Sequence, residues 1–133
     1  MQKSFDRSID AVADVYNFTE SVLEAADIAK EHRFPVHLAM EELFVNMVNY
    51  YPDNDNAIQL EVEAANGKVT VTMSDFDVDP FDVTQSRNVD IEASLDERTP
   101  GGLGLHLIQR MVDNLQYDWE DRRSTIRFTK GEG

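Results

Sequence analysis

Between residues 58 and 73 the side chains alternate so regularly that few structures remain open to the chain. Ile58, Leu60, Val62 and Ala64 are separated by mostly polar residues, Asn66-Gly67 follows, and Val69, Val71 and Met73 resume the alternation. A period of two puts the apolar side chains on one face of a strand. Asn-Gly is a favoured two-residue hairpin turn because both residues tolerate positive φ. A hairpin with one apolar face needs other elements to cover that face.

The residues before the hairpin supply the cover. Ser8 is a candidate N-cap, and Ile9, Val12, Tyr16, Leu23 and Ala26 then recur at helical spacing. Pro35 is placed to start a second helix and Pro52 to end it, with Val36, Met40, Leu43, Met47 and Tyr50 as the apolar stripe. Residues 3–7 read as a short opening strand. Beyond the hairpin, residues 82–100 are polar and without period, longer than an ordinary connection and expected to be functional or mobile. Leu103, Leu107, Met111 and Val112 predict a third helix, and Leu115, Tyr117 and Trp119 a strand. Residues 124–130 predict a last strand, with Asp121-Arg122-Arg123 in the turn before it. The order β-α-α-β-β-lid-α-β-β implies an α/β (α+β) two-layer sandwich, a mixed, mainly antiparallel sheet with helices on one face. The 133 residues suit a single domain, 1–133.

Composition narrows the chemistry. The chain has no cysteine, which excludes disulfides, thiolate metal sites and cysteine nucleophiles and fits a reducing cytoplasm. No apolar run reaches the length of a membrane span, and the N-terminal MQKSFDRSID has no signal-peptide core, so no membrane association is expected. A net charge of −14 argues against nucleic acid as a partner. It favours a basic protein partner, or serves solubility alone.

Three constellations carry candidate chemistry. Glu42, Asn46 and Asn49 fall at i, i+4 and i+7, on one helical face beside the apolar stripe. Their oxygens suit a hard cation such as Mg²⁺, and equally a solvated polar edge. Asp75 continues the Val69–Val71–Met73 alternation in phase and is expected to point into the core, where a carboxylate needs a ligand N–H, a backbone amide or a buried Thr as partner. Asp75, Asp77 and Asp79 imitate the start of a calcium loop, but Pro80 and Ser86 occupy the positions where glycine and glutamate are required. Gly101, Gly102 and Gly104 open the third helix, where free N–H groups and the positive helix end favour a phosphate; a plain loop-to-helix turn is the alternative. His32, His37 and His106 lack metal-ligand spacing and are expected at the surface or core edge.

Together these segments resemble one superfamily. HLAMEELFVNMVNYYP resembles the N box of the GHKL ATPases, TMSDFDVDPFD their G1 segment and TPGGLGLHLIQRMVD their G2 segment. DIEASLDERTPGGLGLHLI most resembles the bacterial anti-sigma factor serine/threonine kinases of the partner-switching type. The resemblance implies the GHKL (Bergerat) ATP-binding fold with ATP and Mg²⁺ as cofactors. It implies that the backbone of Gly101, Gly102, Leu103, Gly104 and Leu105 closes around the phosphates, that Asn46 coordinates Mg²⁺ with Asn49 beside it, and that Glu42 is the general base. Asp75 would accept the adenine amino group, Thr125 would place a hydroxyl near that aspartate, and Arg98 of the lid would contact phosphate. The implied partners are a sigma factor and an anti-anti-sigma protein of the STAS type, with homodimers as the implied assembly. The chain departs from the family at the G1 glycine: Asp77 stands there, or Val78 if the alignment is anchored on Phe81. That departure leaves a second function open, a catalytically weak or inactive partner-binding module that regulates transcription by sequestration.

Overall fold

A computed structural model describes residues 1–50, 55–78 and 108–131. Strand β1 (Gln2–Phe5) leads through a short 3-10 turn (Ile9–Ala11) into helices α1 (Val12–Ala25) and α2 (Lys30–Tyr50). The hairpin β2 (Ile58–Ala65) and β3 (Lys68–Phe76) follows, then β4 (Asn114–Glu120) and β5 (Arg123–Gly131). The sheet order is β1-β2-β3-β5-β4 and every pairing is antiparallel. Both hairpins turn on two residues with positive φ, Asn66 (55°) and Gly67 (79°), and Asp121 (51°) and Arg122 (63°), which suits the right-handed twist of the strands they join.

The helices cover one face of the sheet. Ile58, Leu60 and Val62 of β2, Val69, Val71 and Met73 of β3, and Ile126 and Phe128 of β5 are buried beneath Val15, Val22 and Leu23 of α1 and Val36, Met40, Leu43, Phe44 and Met47 of α2. The intervening residues, Glu61, Glu63, Thr70, Thr72, Thr125 and Arg127, form the other face, which is half-buried or exposed. Residues 108–111 are helical, and Ile108 and Val112 join the core; the preceding part of the expected third helix, Leu103 and Leu107, lies outside the described residues.

Three expectations are corrected here. Ile9 and Tyr16 are exposed, and the inward stripe of α1 is Val15, Thr19, Val22 and Leu23, preceded by Ala11. Thr19 hid this stripe: it is fully buried because its hydroxyl donates to the Val15 carbonyl (2.8 Å) and contacts Met40 Sδ (3.1 Å). Pro35 does not start α2 but lies inside it. The turn before it is held by Arg33, whose Nε donates to the Ile28 carbonyl (2.8 Å) and whose Nη1 donates to Glu20 (2.9 Å). β1 ends at Phe5 rather than at residue 7, which releases Arg7 from the sheet. Tyr50 ends α2, and Pro52 lies outside the described residues.

The α1–α2 connection has no glycine. Asp27 takes the left-handed conformation (φ 55°) that ends α1. The Ile28 N–H returns to the Leu23 carbonyl (3.0 Å) and the Asp27 N–H to the Glu24 carbonyl (3.0 Å), with Ile28 and Leu23 both buried. On the outer side Glu20 is gripped by Arg33 and by His37 Nε2 (2.5 Å), and the His37 ring stacks on Tyr16 with centroids 4.1 Å apart. Burial opposes ionisation of Glu20, but its hydrogen bonds and charge contacts with His37, and then with Arg33, outweigh this and hold the carboxyl below its ordinary range. A depressed carboxyl stabilises the fold above its unfolded pKa, and that stability is lost as the pH falls through the folded value. Glu20→Gln should therefore lower stability at neutral pH by about 1 kcal/mol. Urea melts of both proteins should show the gap at neutral pH and its disappearance in strong acid.

Candidate functional site

At the far end of β3 the apolar alternation ends in a carboxylate. Asp75 is in phase with Val69, Val71 and Met73, as the spacing predicts, and is 1% exposed. Its partner is Arg7, released just beyond β1, whose side chain is itself 4% exposed. Arg7 Nη2 bonds Asp75 Oδ1, Nη1 donates to the Met47 carbonyl (2.7 Å), and Nε donates to the Asn56 carbonyl (3.2 Å). The Met47 carbonyl belongs to the last turn of α2, where carbonyls lack intrahelical partners and a cation is favoured. One guanidinium thus fastens the β3 carboxylate, the end of α2 and the start of the 55–57 connection together. Oδ1 also accepts the Phe76 N–H (3.0 Å). Oδ2 is buried and accepts no hydrogen bond from the described residues. Burial pushes the Asp75 carboxyl above its ordinary range, against the opposing pull of Arg7 and of the Phe76 N–H.

Glu42, Asn46 and Asn49 lie along the α2 turns that lead to Met47; the first two are half-buried and Asn49 is exposed. Asn46 Nδ2 donates to the Glu42 carbonyl (2.8 Å), which settles the amide's orientation and leaves Oδ1 as the atom available to a cation. Among the described residues no group of three His, Asp or Glu could hold a metal by itself. A Mg²⁺ that keeps waters and takes most of its oxygens from phosphates needs one protein oxygen and fits Asn46 Oδ1. The orphaned Oδ2 of Asp75 fits a ligand N–H, since a buried acceptor without a partner costs about 1–3 kcal/mol.

The Thr125 expectation is corrected. In the β3–β5 register Thr125 faces Ser74 across the ladder, while Ser124 faces Asp75. Opposed residues share a sheet face, so the buried hydroxyl beside the aspartate is Ser124, and Thr125 lies on the other face. Arg98, Gly101, Gly102, Leu103, Gly104 and Leu105, and with them the lid, lie outside the described residues.

Asp77, one of the two residues expected at the G1 glycine position, has a left-handed backbone (φ 59°). This is the conformation glycine adopts freely, and aspartate is among the few other residues that visit it. The carboxylate turns out to Arg122 Nε (2.8 Å) and is 70% exposed. The next residue, Val78, is fully buried: its N–H donates to the Arg122 carbonyl (3.0 Å) and its carbonyl accepts Trp119 Nε1 (2.8 Å). The segment after Asp75 is therefore held by the β4–β5 hairpin.

Sequence reasoning missed two residues of this site. Arg7 had no signal, since it meets Asp75 across 68 positions of chain. Ser124 had one: Ile126 and Phe128 alternate inward, and the same phase includes Ser124, not Thr125.

A family model described as the histidine kinase-like ATPase domain matches residues 5–130. The serine/threonine-protein kinase BtrW of Bordetella bronchiseptica is 30% identical over 99 residues, which cover 73% of this chain and 69% of that protein. The histidine kinase AdeS of Acinetobacter baumannii superimposes with a TM-score of 0.52 at 15% identity, over 98% of this chain and 67% of that one, and shares the fold.

The Asp77 backbone gives a direct test. Asp77→Gly should leave stability within about 0.5 kcal/mol of the parent, because relief of the left-handed conformation offsets a weak surface ion pair and a freer unfolded chain. Asp77→Val should cost about 1–2 kcal/mol, the penalty for a branched side chain at this φ. Chemical denaturation of the three proteins measures both.

Proposed function

Because this chain belongs to the histidine kinase-like ATPase domain family, we propose that it is an ATP-dependent serine/threonine protein kinase of the anti-sigma type. It would bind a sigma factor in the cytoplasm and phosphorylate an anti-anti-sigma partner of the STAS type, so that the partner no longer displaces the sigma factor. The observation that carries the reading is the buried, unpartnered Oδ2 of Asp75, beside the α2 end that bears Glu42 and Asn46. The relative named as a serine/threonine kinase supports the choice of a hydroxyl as acceptor. Among the described residues no helix is long and apolar enough to cross a membrane.

In this mechanism Asp75 Oδ2 would accept the adenine amino N–H and so position the nucleotide. Asn46 offers Oδ1 to Mg²⁺, which when bound neutralises charge along the phosphates. Glu42, one turn earlier on the same face, receives the proton of the attacking hydroxyl or orients it. Asn49 extends this polar line toward the helix end. Gly101, Gly102, Leu103, Gly104 and Leu105 would supply backbone N–H groups to the phosphates, and Arg98 a cation.

The second reading, a partner-binding module without catalysis, is favoured by Asp77 at the glycine position. The two separate by measurement. Asn46→Ala should weaken Mg-ATP binding in calorimetry while leaving the melting temperature almost unchanged. Glu42→Gln should lower phosphoryl transfer to the partner about 10²–10⁴-fold with little change in ATP affinity, since a general base acts mainly in the transition state. A parent protein that binds Mg-ATP and transfers no phosphoryl group to any anti-anti-sigma protein would select the second reading.

A further inference from the structure

Arg7 does more at Asp75 than neutralise it. A carboxyl group can present an acceptor or, when protonated, a donor, and the two forms read opposite edges of a purine. The ionised form accepts from an exocyclic amine. The protonated form donates to an exocyclic carbonyl. Two facts decide which is presented here. Oδ1 is taken by two N–H donors, Arg7 Nη2 and the Phe76 amide, so any proton on this carboxyl would have to sit on Oδ2. Oδ2 is the buried atom without a partner, the one left for a ligand.

We propose that Arg7 is a positioning residue that sets base specificity: its cation, locked on Oδ1, leaves Oδ2 as a pure acceptor that takes a 6-amino purine and rejects a 6-oxo purine. The inference rests on the nucleotide-binding reading above. Three features make Arg7 suited to the task. Its side chain is 4% exposed, so its charge acts in a medium that screens poorly. It is fixed by the Met47 and Asn56 carbonyls as well as by Asp75, so it does not follow the carboxylate if a ligand pulls on it. And burial already drives the Asp75 carboxyl toward its neutral form, with Arg7 the main opposing influence. Without that cation the group would hold its proton to higher pH, turn Oδ2 into a donor and accommodate O6 of hypoxanthine.

The test compares the affinity of the full chain for Mg-ATP and Mg-ITP by calorimetry, in the parent and in Arg7→Met, Arg7→Gln and Arg7→Lys. The parent should prefer ATP by about 100-fold, the cost of opposing a buried charged acceptor with a carbonyl. In Arg7→Met the preference should fall to within about 5-fold where Asp75 is protonated, with ITP binding gaining as ATP binding weakens, and should return in part as the pH is raised and Asp75 ionises. Arg7→Lys keeps a cation and should keep most of the preference. Arg7→Gln is neutral yet retains donors for Asp75 and should behave as Arg7→Met does, so it decides the matter if the methionine variant does not fold. An ATP:ITP ratio in the folded neutral variants equal to that of the parent, with both affinities weakened in parallel, would overturn the inference and leave the nucleotide site standing. A parent that binds neither nucleotide would overturn the nucleotide-binding reading, and the inference with it.

Discussion

A buried ion pair between Arg7 and Asp75 joins parts of the chain that are far apart in sequence. Taking two charges out of water is costly, and a buried pair seldom stabilises a fold more than well-packed apolar groups would. Its consequence is arrangement rather than strength. The guanidinium has five donors in a rigid fork, and here they reach the end of β3, the end of α2 and the connection that leads from α2 to β2. Losing either partner would strand the other in the interior, so the position of α2 over β3 is specified beside the buried Oδ2 of Asp75.

The remainder of the architecture follows from a sheet with one covered face. Hydrogen bonding between strands is indifferent to which side is wet, so the choice is made by side chains alone. β2, β3 and β5 each present an inward row, and α1 and α2 close over them. The polar residues proposed to act on the nucleotide sit where this pattern ends: Asp75 at the last inward position of β3, and Glu42 and Asn46 at the border of the α2 stripe.

Much of this was legible in the chain. The β2–β3 hairpin and its turn stand where alternation and Asn66-Gly67 place them, and Val36, Met40, Leu43 and Met47 are all buried as their spacing predicts. These are local patterns, and local patterns survive folding when nothing tertiary competes. The failures are equally physical. The face of α1 was read one step around the helix because a threonine takes a core position by bonding to its own backbone and to a methionine. Helix α2 begins before its proline because Arg33 anchors the extra turn. Arg7 could not be read at all, since an ion pair across most of the chain leaves no periodicity. Thr125 was assigned by resemblance where the register of β5 selects its neighbour Ser124.

The strand order also decides how the sheet stops. Among the described strands β4 and β1 are the two margins, and each has a row of backbone groups facing away from its neighbour. β1 offers four residues, too few to template a long ladder. β4 is longer and largely open to water, but it carries Asp118 and Glu120, with Asp121 in the turn that follows. A second copy approaching strand to strand along β4 would bring the same acidic side chains against these. The acidity of the chain thus acts locally against strand-to-strand addition along β4.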